Sequence, residues 1–187
     1  HAEETGLLEG GSLKFAELQQ NAAYLKYVDS MVSMADEAYE RLLKSRYEEF
    51  AKEGSPRVVL CHQDFGKGNC LLSSDGVYVL DLDGVTYDLP VRDLRKIIGK
   101  NAENKGLWQA KSIESIVGRY SEVNFLNEEE IEILYADLLF PHWFFGLVKN
   151  RFQKGKSIKA SDIEKIGKLE ESKALLIETL GKRGGLD

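Results

Sequence analysis

The chain has 187 residues, of which 43% are apolar and 30% charged, and its formal net charge is −6. That length supports one domain with a substantial core. The acidic balance lacks the basic footprint of a nucleic-acid binder, and two cysteines exclude a disulfide framework.

No run reads as the eighteen or so apolar residues of a membrane span, and no basic-then-apolar leader opens the chain. A cytoplasmic domain is expected, with neither nucleic acid nor membrane as a partner.

From Leu13 to Ala51 apolar residues recur at steps of three and four: Leu18, Ala22, Leu25, Val28, Val32, Ala35, Tyr39 and Leu42. This is one stripe of an amphipathic helix, long enough to be two helices broken near Asp29-Ser30. Gly54 and Pro56 mark its stop. Arg57–Cys61, Asn69–Leu72 and Val77–Leu82 read as strands, the last two joined as a hairpin through Ser73-Ser74-Asp75-Gly76. Beyond Pro90 the pattern is helical again, over Asp93–Ile98 and Leu107–Tyr120. Two more helices follow, opened by capping boxes at Asn127/Glu130 and Ser161/Glu164. They extend to Arg151, with a division at Pro141, and to Leu180, where Gly181 ends the second.

The chemistry-bearing residues gather around the hairpin. Cys61-His62-Gln63-Asp64-Phe65-Gly66-Lys67-Gly68-Asn69 puts a His, an Asp and an Asn in one loop, and Asp81 and Asp83 follow at the end of an apolar run. A carboxylate at Asp64 can accept a proton from a hydroxyl or orient it for attack. Asn69 and Asp81 offer the hard oxygens that suit Mg2+, which shares its remaining positions with phosphates and waters. Strand alternation would place Asp83 on the same face as Asp81, as a further metal ligand. Lys67 could contact a phosphate. His62 reads as a structural residue whose hydrogen bond fixes the loop backbone. Zinc held by Cys61, His62 and Cys70 would need a second ligand pair that the sequence does not offer.

His62-x-Asp64-x-x-x-x-Asn69 resembles the catalytic loop of protein-kinase-like enzymes. With Gly68-Asn69, then Val79-Leu80-Asp81 and Asp88-Leu89-Pro90-Val91-Arg92-Asp93-Leu94, it is similar to the aminoglycoside phosphotransferase and choline kinase group. Within that group it looks most like the CotS-type spore-coat kinase-fold proteins of Bacillus-type bacteria. The resemblance implies a mostly α-helical α+β fold, the C-terminal lobe of a protein-kinase-like fold, with a small β-hairpin carrying the catalytic loop and metal site. It implies Asp64 as base, Asn69 and Asp81 on Mg2+, and Asp93 as a brace of the loop from a helix start. Asp-Leu stands before Pro90 where the group often has Gly-Asp, so no role carries over to Asp88. In the family the C-terminal helices shape the acceptor site. In the aromatic segment around Pro141, His142 and Trp143 are then candidates for an acceptor pocket, the alternative being core packing.

These residues imply an ATP- and Mg2+-dependent transfer of phosphate to a hydroxyl of a small, amino-sugar-like molecule. The alternative is a catalytically silent kinase-fold coat protein, with other spore-coat proteins as partners. No phosphate-covering loop and strand follow Gly10-Gly11-Ser12, so the whole chain reads as one C-terminal catalytic domain. Its own N-terminal nucleotide-covering lobe would lie elsewhere, and the isolated chain is expected to be inactive. Val77–Val85 also resembles the first motif of haloacid-dehalogenase-type phosphatases. Those place it on the first strand of a parallel sheet, whereas here a long helical stretch precedes it.

Overall fold

The computed structural model describes the backbone of residues 2–183, and the side-chain surroundings of residues 19–180 other than 175 and 178. In order the elements are helices α1 (Ala2–Lys44) and α2 (Tyr47–Phe50), strands β1 (Val59–Cys61), β2 (Cys70–Ser73), β3 (Gly76–Val79) and β4 (Thr86–Asp88), then helices α3 (Val91–Lys105), α4 (Ala110–Ser121), α5 (Glu128–Leu139), α6 (His142–Val148) and α7 (Ala160–Arg183). The chain divides into two compact units, residues 1–35 with 141–171 and residues 36–140 with 172–187.

In the first unit Ala23, Tyr24, Tyr27, Met31 and Met34 of α1 are buried, together with Phe144 of α6 and Ile163 and Leu169 of α7. Tyr24 meets the ring of Phe144 edge-on at 6.0 Å between centroids. Glycine at position 167 lets the Tyr27 ring lie against α7, because a Cβ there would fall 2.5 Å from ring carbons. A π-helical turn, Lys149–Gln153, follows α6, and its Phe152 ring packs on Tyr24 at 5.5 Å.

In the second unit α3 packs on α5 and α4. Leu94, Ile98 and Ala102 recur every four residues along one face of α3 and are buried, as are Ile113 and Val117 of α4 and Ile133, Leu134 and Leu138 of α5. Arg95 pairs with Asp137 at 3.2 Å across α3 and α5. Burial pulls the Arg95 guanidinium below its usual range, and the Asp137 charge opposes that. The last turn of α5 leaves carbonyls without helical partners. Buried Lys173 donates to one of them, Phe140 O, at 2.8 Å, with its ammonium 5.2 Å from the Trp108 ring centroid.

The strands form two antiparallel ribbons. β1 pairs with β4 through Val59–Asp88, Leu60–Tyr87 and Cys61–Thr86. β2 pairs with β3 through Cys70–Val79, Leu71–Tyr78, Leu72–Val77 and Ser73–Gly76.

Several expectations change. α1 is one continuous helix with no break at Asp29-Ser30, since the Ser30 hydroxyl bonds back to Tyr27 O at 3.0 Å and to Glu171 at 2.8 Å. The break comes at Ser45-Arg46, where Ser45 Oγ donates to Leu42 O and accepts from Tyr47 N. The buried stripe of α1 runs through Tyr24, Tyr27, Met31, Met34 and Ala38, displaced from the expected one; Leu25, Val32 and Tyr39 are exposed. The surroundings of Leu18 lie outside the described residues. The capping box at Asn127/Glu130 is formed, but α7 starts at Ala160, so Ser161 is already inside that helix, which continues past Gly181 to Arg183. β4 was not expected. By length and composition alone Glu128–Gln153, in which one 18-residue stretch has a mean hydropathy of 1.3, could cross a bilayer, against the expectation that no run could. The structure divides that segment at Phe140-Pro141, and Leu134, Leu138 and Leu139 are buried.

Candidate active site

The loop from His62 to Asn69 links β1 to β2, and Asp81 and Asp83 follow β3; all belong to the second unit. The loop is held from three sides. Asp93, in the first turn of α3, accepts the His62 N–H on Oδ2 and the Gln63 N–H on Oδ1, each at 2.7 Å. Asp93 thereby ties two consecutive main-chain N–H groups of the loop to the start of α3. His62 is buried, and its Nε2 lies 2.9 Å from Leu80 O. A nitrogen facing a carbonyl must carry the proton, so Nδ1 is the acceptor that receives the Asp64 N–H at 3.4 Å. The imidazole thus ties the loop to the exit of β3. Phe65 packs edge-on against it at 5.7 Å.

Asn69 closes the loop. Its Nδ2 donates to Asp64 O at 2.9 Å and lies 3.4 Å from Asp64 Oδ2. With the amide nitrogen so engaged, the carbonyl oxygen is the end left for other work. Its main-chain oxygen accepts from Leu80 N at 3.0 Å, one rung beyond the Cys70–Val79 pair. Asp81 is the next residue, so Asp64, Asn69 and Asp81 are gathered at the base of the β2–β3 ribbon. Asp81 and Asp83 are exposed, as are Asp64 and Lys67. Strand alternation does not relate Asp81 to Asp83, because β3 ends at Val79, Asp81 has φ 57° and Asp83 lies in a 3-10 turn, Leu82–Gly84.

Two participants went unseen in the sequence. Gln63 holds a left-handed backbone at φ 70°, uncommon for a residue other than glycine, and its Nε2 reaches Asp88 Oδ2 at 3.4 Å. Asp88 also accepts the Leu89 N–H at 2.8 Å and pairs with Arg92 at 3.3 Å. The four-residue step from Asp88 to Arg92 was a readable signal; nothing in a glutamine announces a positive φ. Beneath them Cys61 is buried, its Sγ directed at the carbonyls of Asp88 and Leu89. Burial, with the charges of Asp93 and Asp88, pushes that thiol up to about 11, so it is an inert core group.

His142 and Trp143 belong to the first unit, where they open α6 half-buried. The Trp143 N–H donates to Glu170 Oε1 at 2.9 Å, with Phe144 N 3.4 Å from the same oxygen.

The donor set suits a hard cation. Asp64, Asn69 and Asp81 present oxygens, while both His62 nitrogens and the Cys61 sulfur face protein groups. No group of three or more His, Cys, Asp or Glu that could hold a metal occurs among the described residues, so a cation here would need Asn69 and non-protein oxygens.

The family model described as "Spore coat putative kinase YutH" matches residues 24–177. The chain belongs to that spore-coat kinase family. Among curated proteins, this YutH-family chain is 29% identical over 162 residues to Spore coat protein S of Bacillus subtilis (strain 168), covering 84% of the chain and 46% of that protein. In fold it is similar to the crystal structure of an aminoglycoside phosphotransferase from Alicyclobacillus acidocaldarius subsp. acidocaldarius DSM 446. The TM-score is 0.66 at 15% identity, over 93% of the chain and 57% of that structure's chain. The expected likeness to spore-coat kinase-fold proteins is therefore found, as is the α-rich fold with small sheets. The chain spans about half the length of these relatives.

Proposed function

We propose that this YutH-family chain is the catalytic, C-terminal half of an ATP- and Mg2+-dependent phosphotransferase acting on a hydroxyl of a small molecule. The observation that carries this reading is the gathering of Asp64, Asn69 and Asp81 at one end of the β2–β3 ribbon by the Asn69–Leu80 and His62–Leu80 bonds. Asp64, exposed at the loop surface, accepts the proton of the acceptor hydroxyl or aligns it for attack. Asn69 Oδ1 and the Asp81 carboxylate would hold Mg2+, with Asp83 as a further oxygen and Lys67 as a contact to phosphate. The bound metal would supply charge neutralisation on the transferring phosphoryl group. Asp93 and His62 keep Asp64 and Asn69 in register. A lobe that covers the nucleotide lies in the part of the polypeptide that the longer relatives carry. The acidic surroundings suit a cationic acceptor of the amino-sugar kind.

A kinase-fold coat protein without catalysis, bound to other coat proteins, is the second reading, favoured by the spore-coat family match. The phosphatase reading is not favoured, because Val77–Val79 pairs in an antiparallel two-stranded ribbon.

Calorimetric titration of ATP with Mg2+ into the polypeptide as its gene encodes it, and into Asp81→Asn, tests the proposal. Binding weakened by at least about tenfold in the variant, as for loss of one charged ligand, is expected. Absence of binding in both would leave the coat-protein reading.

A further inference from the structure

The first unit carries a run of positive charge that the candidate site does not use. Between Asp137 and Asp162 the chain has no acidic residue, and Lys149, Arg151, Lys154, Lys156 and Lys159 all fall there, in a protein whose net charge is −6. The four lysines are exposed, and none is ion-paired among the described residues. By contrast Arg46, Arg57 and Arg95 of the second unit each hold a carboxylate.

The main chain gives this segment its shape. The π-helical turn Lys149–Gln153 is closed by the Lys154 N–H on Lys149 O at 3.2 Å, and the Lys156 N–H returns to Asn150 O at 2.9 Å. Gly155 turns the chain between them at φ 63°, a left-handed conformation that suits glycine. Residues 155–159 belong to no helix or strand. Phe152, in the same turn, is 63% exposed. Clustered like charges repel one another until an anion offsets them, and π-helical turns are frequent at functional sites.

We propose that Lys149–Lys159 docks an acidic stretch of another polypeptide, one that also carries apolar side chains. Spread along a turn and open coil, the cations suit an extended anion rather than a single phosphate. The rest of the chain decides between extended anions. Without these five cations it is more acidic still, so a nucleic-acid strand or an anionic bilayer, charged over a long contour or a wide plane, would meet negative surface as well. A short acidic stretch meets the cations alone, and the Phe152 ring offers its apolar side chains a contact. The proposal goes beyond the phosphotransferase reading and needs neither nucleotide nor metal.

The test uses the polypeptide as its gene encodes it, without nucleotide. The probe is a fluorescein-labelled peptide of glutamates with leucines among them, followed by fluorescence anisotropy. Binding that weakens as salt is raised is expected. Lys154→Glu, Lys156→Glu and Lys159→Glu together should weaken it at least about tenfold, as for several exposed pairs reversed, with Tm unchanged. The same three changes at Lys100, Lys105 and Lys111, exposed lysines of the second unit, should leave binding nearly unchanged. Equal losses in the two triple variants would mean that net charge alone holds the peptide, and would overturn the proposal. So would no binding of the peptide, or tighter binding to phosphatidylglycerol vesicles or to a single-stranded oligonucleotide. Peptide binding by a protein that fails to bind ATP would uphold the docking segment while sinking the phosphotransferase reading. ATP binding without peptide binding would do the reverse.

Discussion

Both oxygens of Asp93 accept main-chain N–H groups, from His62 and Gln63 at 2.7 Å each, and Gln63 is held there in a left-handed backbone. Hydrogen bonds to a charged acceptor contribute about 1.5–3 kcal/mol each, and more is lost when partly buried donors are left without partners. Asp93→Ala is therefore expected to destabilise the protein by about 2–4 kcal/mol, a fall in Tm of roughly 5–15 °C for a chain of this size. Thermal unfolding followed by circular dichroism checks this. Asp93→Asn, which keeps one acceptor, should lose less, and unchanged melting of both variants would mean the loop holds itself. The spacing of His62, Asp64, Asn69, Asp81 and Asp93 was legible in the sequence because it matches a known pattern; the bonds of Asp93 and His62 to the loop are what the structure adds. Gln63 and Asp88 were not legible, because their bond depends on a backbone conformation and a strand pairing that no local pattern encodes.

At the scale of elements, propensity and packing disagree at Gly167. Alanine is favoured over glycine in a helix interior by about 1 kcal/mol, but here its Cβ would fall 2.5 Å from the Tyr27 ring. Overpacking of this kind costs about 1–3 kcal/mol, so Gly167→Ala is expected to lower Tm despite the gain in helix propensity. A melting curve for this variant decides which effect wins; a raised Tm would mean that Tyr27 moves aside freely. The same contact explains a misreading of α1. Two apolar stripes at steps of three and four lie side by side on that helix, and only the packing of Tyr27 and its neighbours selects the buried one. Asn127 was legible as a cap because its partners are local. β4 was not, since Tyr87 finds its partner Leu60 far back in the chain.

For the whole molecule, the 187 residues alone are expected to show no ATP turnover with Mg2+ and a panel of amino and hydroxy metabolites, because no element among the described residues reads as a phosphate-covering strand and loop. A coupled ADP-release assay on the isolated chain checks this, and robust turnover would place the nucleotide-covering elements within it. The hairpin carries a different consequence, for how sequences of this family can drift. Its two ends are spaced by the Cys70–Val79 pair and the Asn69–Leu80 bond, so the separation of Asn69 and Asp81 is indifferent to what lies past Ser73. Insertions at the Ser74-Asp75 tip leave that spacing intact, whereas one residue added between Asp64 and Asn69, or between Val79 and Asp81, shifts it. Length variation should accumulate at the tip, which is also the place to graft a reporter.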